Sequence, residues 1–202
     1  MFKSLLCVVL SVFAVQAMAQ EAPDVLARSV MTDVLEIVKT DKAIQAGDQK
    51  RIIDLVEAKV VKHFDFQHMT ALAVGREWRS ASAEQKTALA AEFQTLLVRS
   101  YSNALAQYKN QTIDFKPLRM QAADTDVIVR TEIKQPGAKP VAIDYDMEKK
   151  ADGWKVYDVM VAGVSLVTNY RETFSQEIKA GGIDGLIKSL REKNKQLEAG
   201  KK

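Results

Sequence analysis

The sequence from Trp154 to Arg171, WKVYDVMVAGVSLVTNYR, decides how this chain folds. A strand with one solvent-exposed face alternates apolar with polar residues, but here Lys155 and Asp158 are the only charged residues of the strand. Gly163 then interrupts the run, and the apolar spacing becomes helical in the segment that follows. The predicted strand faces carry Trp154, Val156 and Met160 on one side, and Tyr157, Val159 and Val161 on the other. The stretch therefore predicts a strand that is buried on both faces and turns a corner into a helix.

The N-terminus, residues 1–19, predicts a secretory signal peptide that is removed from the mature protein. A positively charged start precedes an apolar core from Leu5 to Val15 and the small residues from Ala17 to Ala19. That core is too short to span a membrane comfortably. Cys7 lies inside it and is the only cysteine, so the mature chain can form neither a disulfide nor a cysteine metal site. An exported protein without disulfides fits the bacterial periplasm, and we expect residues 20–202 to form one domain.

The first half of the mature chain is patterned as helices. Its apolar residues recur every three or four positions, which is typical of amphipathic helices that pack on a core. Ser82 and Gln85 form a capping-box pattern that predicts the start of a long helix, and Gly75 predicts the end of the helix before it. The predicted helices cover 23–39, 50–64, 64–75 and 83–109.

The pattern changes to strict alternation in the second half, which is typical of β-strands. Pro136-Gly137 and Asp152-Gly153 supply short turns, and short turns imply that consecutive strands are antiparallel. The predicted strands cover 112–120, 126–133, 141–147 and the strand that begins at Trp154. Two closing helices are predicted at 164–179 and 183–197, with Gly181-Gly182 between them. This order predicts an α+β fold in which a layer of helices packs on an antiparallel sheet of about four strands.

Charge and metal-ligand patterns argue against several classes of function. The chain carries 29 basic and 26 acidic residues, and this near balance disfavours nucleic-acid binding. His63 and His68 are five residues apart, so they do not share a helix face as a metal-binding pair would. Without cysteine ligands or a neighbouring cluster of carboxylates, no metal site is predicted. We interpret both histidines as partly exposed helix residues.

The sequence predicts no catalytic site either. Asp144, Asp146 and Asp158 lie on strands, but we interpret them as solvated carboxylates away from any apolar pocket. Ser165 lacks the second glycine of the hydrolase turn G-x-S-x-G, so we expect it to cap the helix that follows. What remains is an excess of apolar side chains, which an internal apolar cavity would accommodate.

Three blocks of the sequence carry a family resemblance: FDFQHMTALAVGREWR (64–79), EFQTLLVRSYSNAL (92–105) and the segment 143–174, which contains the opening stretch. They resemble the periplasmic phospholipid-binding proteins of the Mla (maintenance of lipid asymmetry, or toluene-tolerance) transport system, the MlaC family. The resemblance implies a nuclear transport factor 2-like or cystatin-like α+β fold. It also implies a soluble, monomeric carrier with phospholipid as its cargo and without cofactor or catalysis. The implied partners are an outer-membrane lipoprotein–porin complex and an inner-membrane lipid ABC transporter.

The same resemblance places the acyl chains in a pocket between helices and sheet, with the head group near solvent. From that architecture and from the predicted facing of the residues, we expect the pocket to be lined by Phe66, Met69, Trp78, Phe93, Leu97, Tyr101, Val129, Ile143, Tyr145, Val161 and Val164. Two other functions stay open. A periplasmic chaperone would bind apolar segments of exported proteins. An isomerase or hydratase of small apolar molecules would need a carboxylate or a histidine inside the pocket.

Overall fold

The computed structural model describes residues 20–108 and 111–200, so the predicted signal peptide, residues 1–19, lies outside the described residues. The helices are α1 (Pro23–Thr40), α2 (Lys42–Gln45), α3 (Gln49–Lys59), α4 (Phe66–Val74), α5 (Ala83–Tyr101), α6 (Asn103–Ala106) and α7 (Arg171–Glu198). The strands are β1 (Thr112–Phe115), β2 (Asp126–Lys134), β3 (Val141–Lys150), β4 (Gly153–Val161) and β5 (Val164–Ser165). Short 3-10 turns occupy Val61–His63, Gly75–Arg79 and Thr168–Tyr170.

The sheet is a meander in the order β1-β2-β3-β4-β5, and neighbouring strands are antiparallel. The predicted α+β fold is confirmed, with five strands instead of about four. The additional strand, β5, lies in a segment for which the sequence predicted a helix. Ala162 and Gly163 have φ angles of 50° and 82°, and a two-residue type I′ hairpin turn requires positive φ at both positions. The chain therefore turns back along β4 before α7 begins at Arg171.

Strand β4 contains one residue more than the stretch of β3 that it pairs with. The pairing shifts between Val156 and Asp158, so Tyr157 is the inserted residue of a β-bulge. The bulge places Val156 and Val159 on the same face of the sheet, where both are buried. The sequence prediction of opposite faces for these two residues is wrong, because simple alternation takes no account of an inserted residue.

Helices α4, α5 and α7 pack together around a common apolar core. Phe93 lies at its centre and is fully buried. The ring of Phe93 meets the rings of Tyr170 and Phe174 edge to face, with ring centroids 5.1 and 5.2 Å apart. Edge-to-face aromatic pairs contribute about 0.5–1.5 kcal/mol beyond the area they bury. These contacts hold the C-terminal helix against α5.

Several predicted helix boundaries agree with the structure. Ser82 and Gln85 form the predicted capping box at the start of α5, with both reciprocal hydrogen bonds present. Helix α5 ends at Tyr101, before the predicted end at position 109, and the separate turn α6 follows it. Gly182 interrupts α7 at the predicted break, because its φ of 68° and ψ of −170° are not helical.

Helices α1, α2 and α3 form a second layer with its own core of Val34, Val38, Ile44, Ile52 and Leu55. Helix α1 also packs on the sheet through Leu26 and Ala27. The helices therefore form two separate groups, and both groups cover the sheet face that carries Val129 and Met147. This division leaves room for internal space between each group and the sheet.

Asp158 is buried at the corner where β4 turns into β5, with 6% of its surface exposed. Its carboxylate accepts hydrogen bonds from the backbone N–H of Val159 (2.7 Å) and Val167 (3.3 Å), and from the hydroxyl of Ser165. The prediction that Asp158 is solvated is therefore wrong, because the returning hairpin covers it. The hydroxyl of Ser165 accepts from the N–H of Thr168 at 2.9 Å. The N-cap positions of the 3-10 turn and of α7 are Val167 and Tyr170, neither with a side-chain cap, so the prediction that Ser165 caps the following helix is wrong.

Asp146 lies beside Asp158 in the paired strand and is half-buried. One of its carboxylate oxygens, Oδ1, is fully buried and has no hydrogen-bond partner among the described residues. Burial raises the pKa of Asp146 above its usual value, and the carboxylates of Asp158, Asp126 and Asp144 add to this effect, while Arg130 opposes it. The prediction that Asp146 is a solvated carboxylate with no reason for a raised pKa is also wrong.

We expect Asp158→Ala to lower the free energy of unfolding by about 2–4 kcal/mol, because it leaves buried donors without their charged acceptor. Urea unfolding followed by circular dichroism measures this loss. Asp54→Asn is the matched control, since Asp54 belongs to an exposed pair with Lys50 on α3 and should cost less than about 0.5 kcal/mol. Equal losses in the two variants would show that the corner does not depend on Asp158.

We expect Asp146→Asn to raise the urea midpoint at pH 7. The folded state holds the Asp146 proton more tightly than the unfolded state does, so the wild type loses stability as the pH rises above the ordinary value of 3.8. The asparagine variant lacks this loss, and its advantage should shrink as the pH falls back towards 3.8. Urea midpoints of both proteins between pH 4 and pH 8 test the effect. A pH-independent difference would contradict it.

Candidate functional site

An apolar cavity of about 320 Å³ lies between α1 and the helix-covered face of the sheet. We call it the sheet cavity. Helix α1 supplies two rows of side chains at a spacing of four residues, which places each row on one side of the helix. The full lining consists of Leu26, Ala27, Val30, Met31, Val34, Leu35, Val60, His63, Phe64, Ala104, Leu105, Tyr108, Ile113, Ile133, Ile143, Tyr145, Met147 and Val156.

A second apolar cavity of about 220 Å³ lies between the helices and the end of β4. We call it the helix cavity. It is closed on the sheet side by Val159 and Leu166, which the hydrogen bond from Leu166 N to Val159 O (2.8 Å) holds together. The other lining residues are Val56, Val60, Val61, Phe64, Phe66, Met69, Leu97, Val98, Tyr101, Ser102 and Leu105.

The two cavities adjoin each other, because Val60, Phe64 and Leu105 line both of them. Two contacts hold Phe64 in place. Its backbone forms a parallel bridge with Val156 of β4, and its ring stacks on Phe66 with 5.8 Å between the centroids. These three residues therefore form the boundary between the two cavities.

The polar side chains in the sheet cavity are two tyrosines and one histidine. Tyr145 packs against the sheet core, and the hydroxyl of Thr131 on the neighbouring strand donates to the carbonyl oxygen of Ile143 at 2.8 Å. Burial raises the pKa of Tyr145, so its phenol stays protonated and neutral. The hydroxyl of Tyr108 donates to the carbonyl oxygen of Gln111 at 2.6 Å. Tyr108 therefore presents mainly its apolar ring to the cavity.

His63 is half-buried and lines the sheet cavity, whereas the sequence predicted only a partly exposed helix residue. Burial lowers its pKa, and the neighbouring charges of Lys62 and Lys155 lower it further, while Glu21 opposes them. The ring is therefore neutral at pH 7. No hydrogen bond joins it to a carboxylate in the described part of the chain. It lacks the orienting partner that a catalytic histidine normally has.

His68 and its surroundings lie outside both cavities. Its Nδ1 is 2.8 Å from Oε1 of Glu148, and its ring stacks on Tyr157 with 4.5 Å between the centroids. Across residues 20–108 and 111–200, no group of three or more histidine, cysteine or acidic side chains is arranged to hold a metal ion. Over the same residues, no helix is long and apolar enough to cross a membrane.

The structure brings six of the eleven residues predicted for the pocket to the two cavities. Phe66, Met69, Leu97 and Tyr101 line the helix cavity, and Ile143 and Tyr145 line the sheet cavity. The other five are placed elsewhere. Phe93 and Val129 are buried in packed cores, Trp78 packs against the helical core, Val161 packs at the edge of the sheet core, and Val164 is 59% exposed beside the β4–β5 turn.

Sequence reasoning missed the contribution of α1, although its two rows at a spacing of four residues were a usable signal. It also missed Phe64 and His63, for which periodicity gave no signal, because they lie in and beside a 3-10 turn. Leu105 was missed for a similar reason, since the chain leaves α5 before reaching it. The wall between the cavities therefore comes mainly from irregular segments.

The model of the family described as MlaC protein matches residues 28–192. The intermembrane phospholipid transport system binding protein MlaC of Haemophilus influenzae is 25% identical over 198 residues, which are 96% of this chain and 92% of that protein. The toluene tolerance protein ttg2D of Pseudomonas putida is 24% identical over 182 residues, or 89% and 83% of the two chains.

A solved structure has the same fold. It is the phospholipid-binding protein of Ralstonia solanacearum in complex with a phospholipid, and it superposes with a TM-score of 0.81 at 39% identity. The match covers 88% of this chain and 99% of that one.

Proposed function

The chain belongs to the MlaC protein family, and we propose that it is a phospholipid carrier of the periplasm. The observation that carries this proposal is the pair of adjoining apolar cavities between helices and sheet. The similar protein from Ralstonia solanacearum was solved with a phospholipid bound. We infer that the sheet cavity and the helix cavity receive the acyl chains and that the head group stays near solvent. The six predicted residues that line them are our proposed contacts with the chains.

The energetics of transfer explain why such a protein needs cavities and not catalysis. Each methylene buried from water contributes about 0.8 kcal/mol, so about thirty methylenes in two acyl chains contribute about 24 kcal/mol. A lipid therefore does not cross an aqueous compartment unprotected on a useful timescale. Transfer from a bilayer to an equally apolar cavity is nearly neutral in free energy, so the carrier can both load and release its cargo.

The route and the partners are part of the same proposal. The relative from Haemophilus influenzae is named as a component of an intermembrane transport system. We propose that this chain is exported by its N-terminal segment, residues 1–19, and works as one domain, residues 20–202. It would exchange lipid with an outer-membrane lipoprotein–porin complex and an inner-membrane ABC transporter, as a monomer between the two.

We propose binding without catalysis and without a cofactor. The isomerase or hydratase alternative requires a carboxylate or a histidine inside the pocket, and His63 does line the sheet cavity. In the described part of the chain, however, its ring is not paired with a carboxylate that would orient it for proton transfer. Of the described residues, no carboxylate side chain lines either cavity. The geometry thus favours a carrier.

Organic extraction of the mature protein purified from periplasm, followed by lipid mass spectrometry, tests the proposed function. We expect phospholipid in near-stoichiometric amount, because the cavities would otherwise expose apolar walls to water. Recovery of peptides instead of lipid would favour the chaperone alternative. A protein that carries neither would refute the proposal.

We expect Leu105→Trp to lose most of its bound phospholipid, since Leu105 lines both cavities and the larger ring would project from their boundary into the space proposed for the acyl chains. Val164→Trp is the matched control and should retain lipid, because Val164 is largely exposed and lines neither cavity. Native mass spectrometry measures lipid occupancy, and thermal unfolding verifies that both variants fold. Loss of lipid in Val164→Trp but not in Leu105→Trp would place the pocket at the hairpin, as the sequence predicted.

A further inference from the structure

His63 is a polar side chain of the sheet-cavity lining that has no hydrogen-bond partner among the described residues. Of the two tyrosines of that lining, Tyr108 donates to the carbonyl oxygen of Gln111, and Tyr145 is a buried phenol that stays neutral. A neutral imidazole carries one N–H donor and one acceptor, and its half-buried position limits the water that can satisfy them. A ligand in the cavity would therefore meet a free polar group at His63.

The other histidine of the chain shows the contrast. His68 lies only five residues further along, and its ring is held by Glu148 on one side and by Tyr157 on the other. No carboxylate holds His63 in this way in the described ranges. The two histidines therefore differ in what they are free to bind, although the sequence gave no reason to separate them.

The surroundings of His63 are positively charged. It ends the 3-10 turn Val61–His63, and the carbonyl oxygen of Lys62 in that turn accepts from Nζ of Lys155 at 2.8 Å. Lys155 also pairs with Asp152 at 2.9 Å, so its charge is partly compensated. The ammonium group of Lys62 is exposed and forms no ion pair within the described residues. Glu21 is the acidic group that opposes these charges.

We propose that His63, together with Lys62, binds the phosphate group of a phospholipid whose acyl chain occupies the sheet cavity. The inference rests on the proposed function. An acyl chain that fills an apolar cavity must leave its polar group near water, and His63 is a lining residue of this cavity that is itself partly exposed. An N–H donor and a nearby free ammonium group suit an anion, and hydrogen bonds to charged groups are the stronger ones.

A phosphate contact has a pH dependence with a definite sign. In the free protein, burial, Lys62 and Lys155 lower the pKa of His63, and Glu21 opposes them. A bound phosphate is a nearby negative charge and raises that pKa, so binding takes up a proton. Affinity for a phosphate-bearing lipid should therefore rise as the pH falls from 7.5 to 5.5. Diacylglycerol has the same chains without phosphate and should show no such rise.

The test uses the delipidated mature protein, residues 20–202. It measures lipid uptake from vesicles of phosphatidylethanolamine or from vesicles doped with diacylglycerol. We expect His63→Leu to weaken phosphatidylethanolamine binding by about 3- to 10-fold at pH 7, the effect of one hydrogen bond, and to leave diacylglycerol unchanged. His63→Gln keeps a donor but cannot titrate, so it should bind at pH 7 and lose the rise at low pH. His68→Gln is the matched control and should keep both properties.

Each contrary result has a separate meaning. If the wild type takes up neither lipid, the proposed function fails. If it takes up both and His63→Leu equals the wild type, or if His63→Gln keeps the rise at low pH, the proposed function stands and the role of His63 is refuted. Inorganic phosphate alone is a further arm: if it shifts the ring-proton NMR signals of His63 as strongly as the phospholipid does, the site binds free anions and the inference is overturned.

Discussion

The residue inserted into β4, Tyr157, determines which side chains of that strand line the two cavities. Because Tyr157 is bulged, Val156 and Val159 face the same side of the sheet, and Val156 lines the sheet cavity while Val159 lines the helix cavity. Without the bulge, one of these valines would point to the polar face of the sheet. The bridge from Phe64 to Val156 then fixes the wall between the two spaces at the same place. A local backbone irregularity thus connects the sheet to both cavities.

The corner after β4 determines where the helices can lie. The hairpin at Ala162 and Gly163 returns the chain along β4, and the buried carboxylate of Asp158 binds Ser165 and Val167 on the way back. The return places Leu166 opposite Val159 as a wall of the helix cavity. Helix α7 can therefore pack on α5 through Phe174 without filling that cavity. Polar contacts on one face of the corner keep apolar space open on the other.

Regular periodicity made most of the fold predictable from the sequence, whereas the irregular segments could not be predicted from it. The alternation in β2 and β3, the capping box at Ser82 and the break at Gly182 were all readable, because each depends on local chemistry. The bulge at Tyr157 and the burial of Asp158 depend on distant partners. The pocket was only partly predictable for the same reason: Phe93 and Leu97 lie one turn apart on α5, yet one fills a core and the other lines a cavity.

A carrier must hold its cargo firmly in water and still release it to a membrane. Apolar walls satisfy both demands, because the burial of methylenes strongly opposes escape into water but is nearly balanced when the chains enter another apolar medium. Many polar anchors would upset this balance, since each would favour the bound state over the bilayer. The hydrogen-bonded hydroxyl of Tyr108 and the buried, neutral phenol of Tyr145 fit this requirement. The proposed phosphate contact of His63 would orient the cargo and add only one hydrogen bond to what holds it.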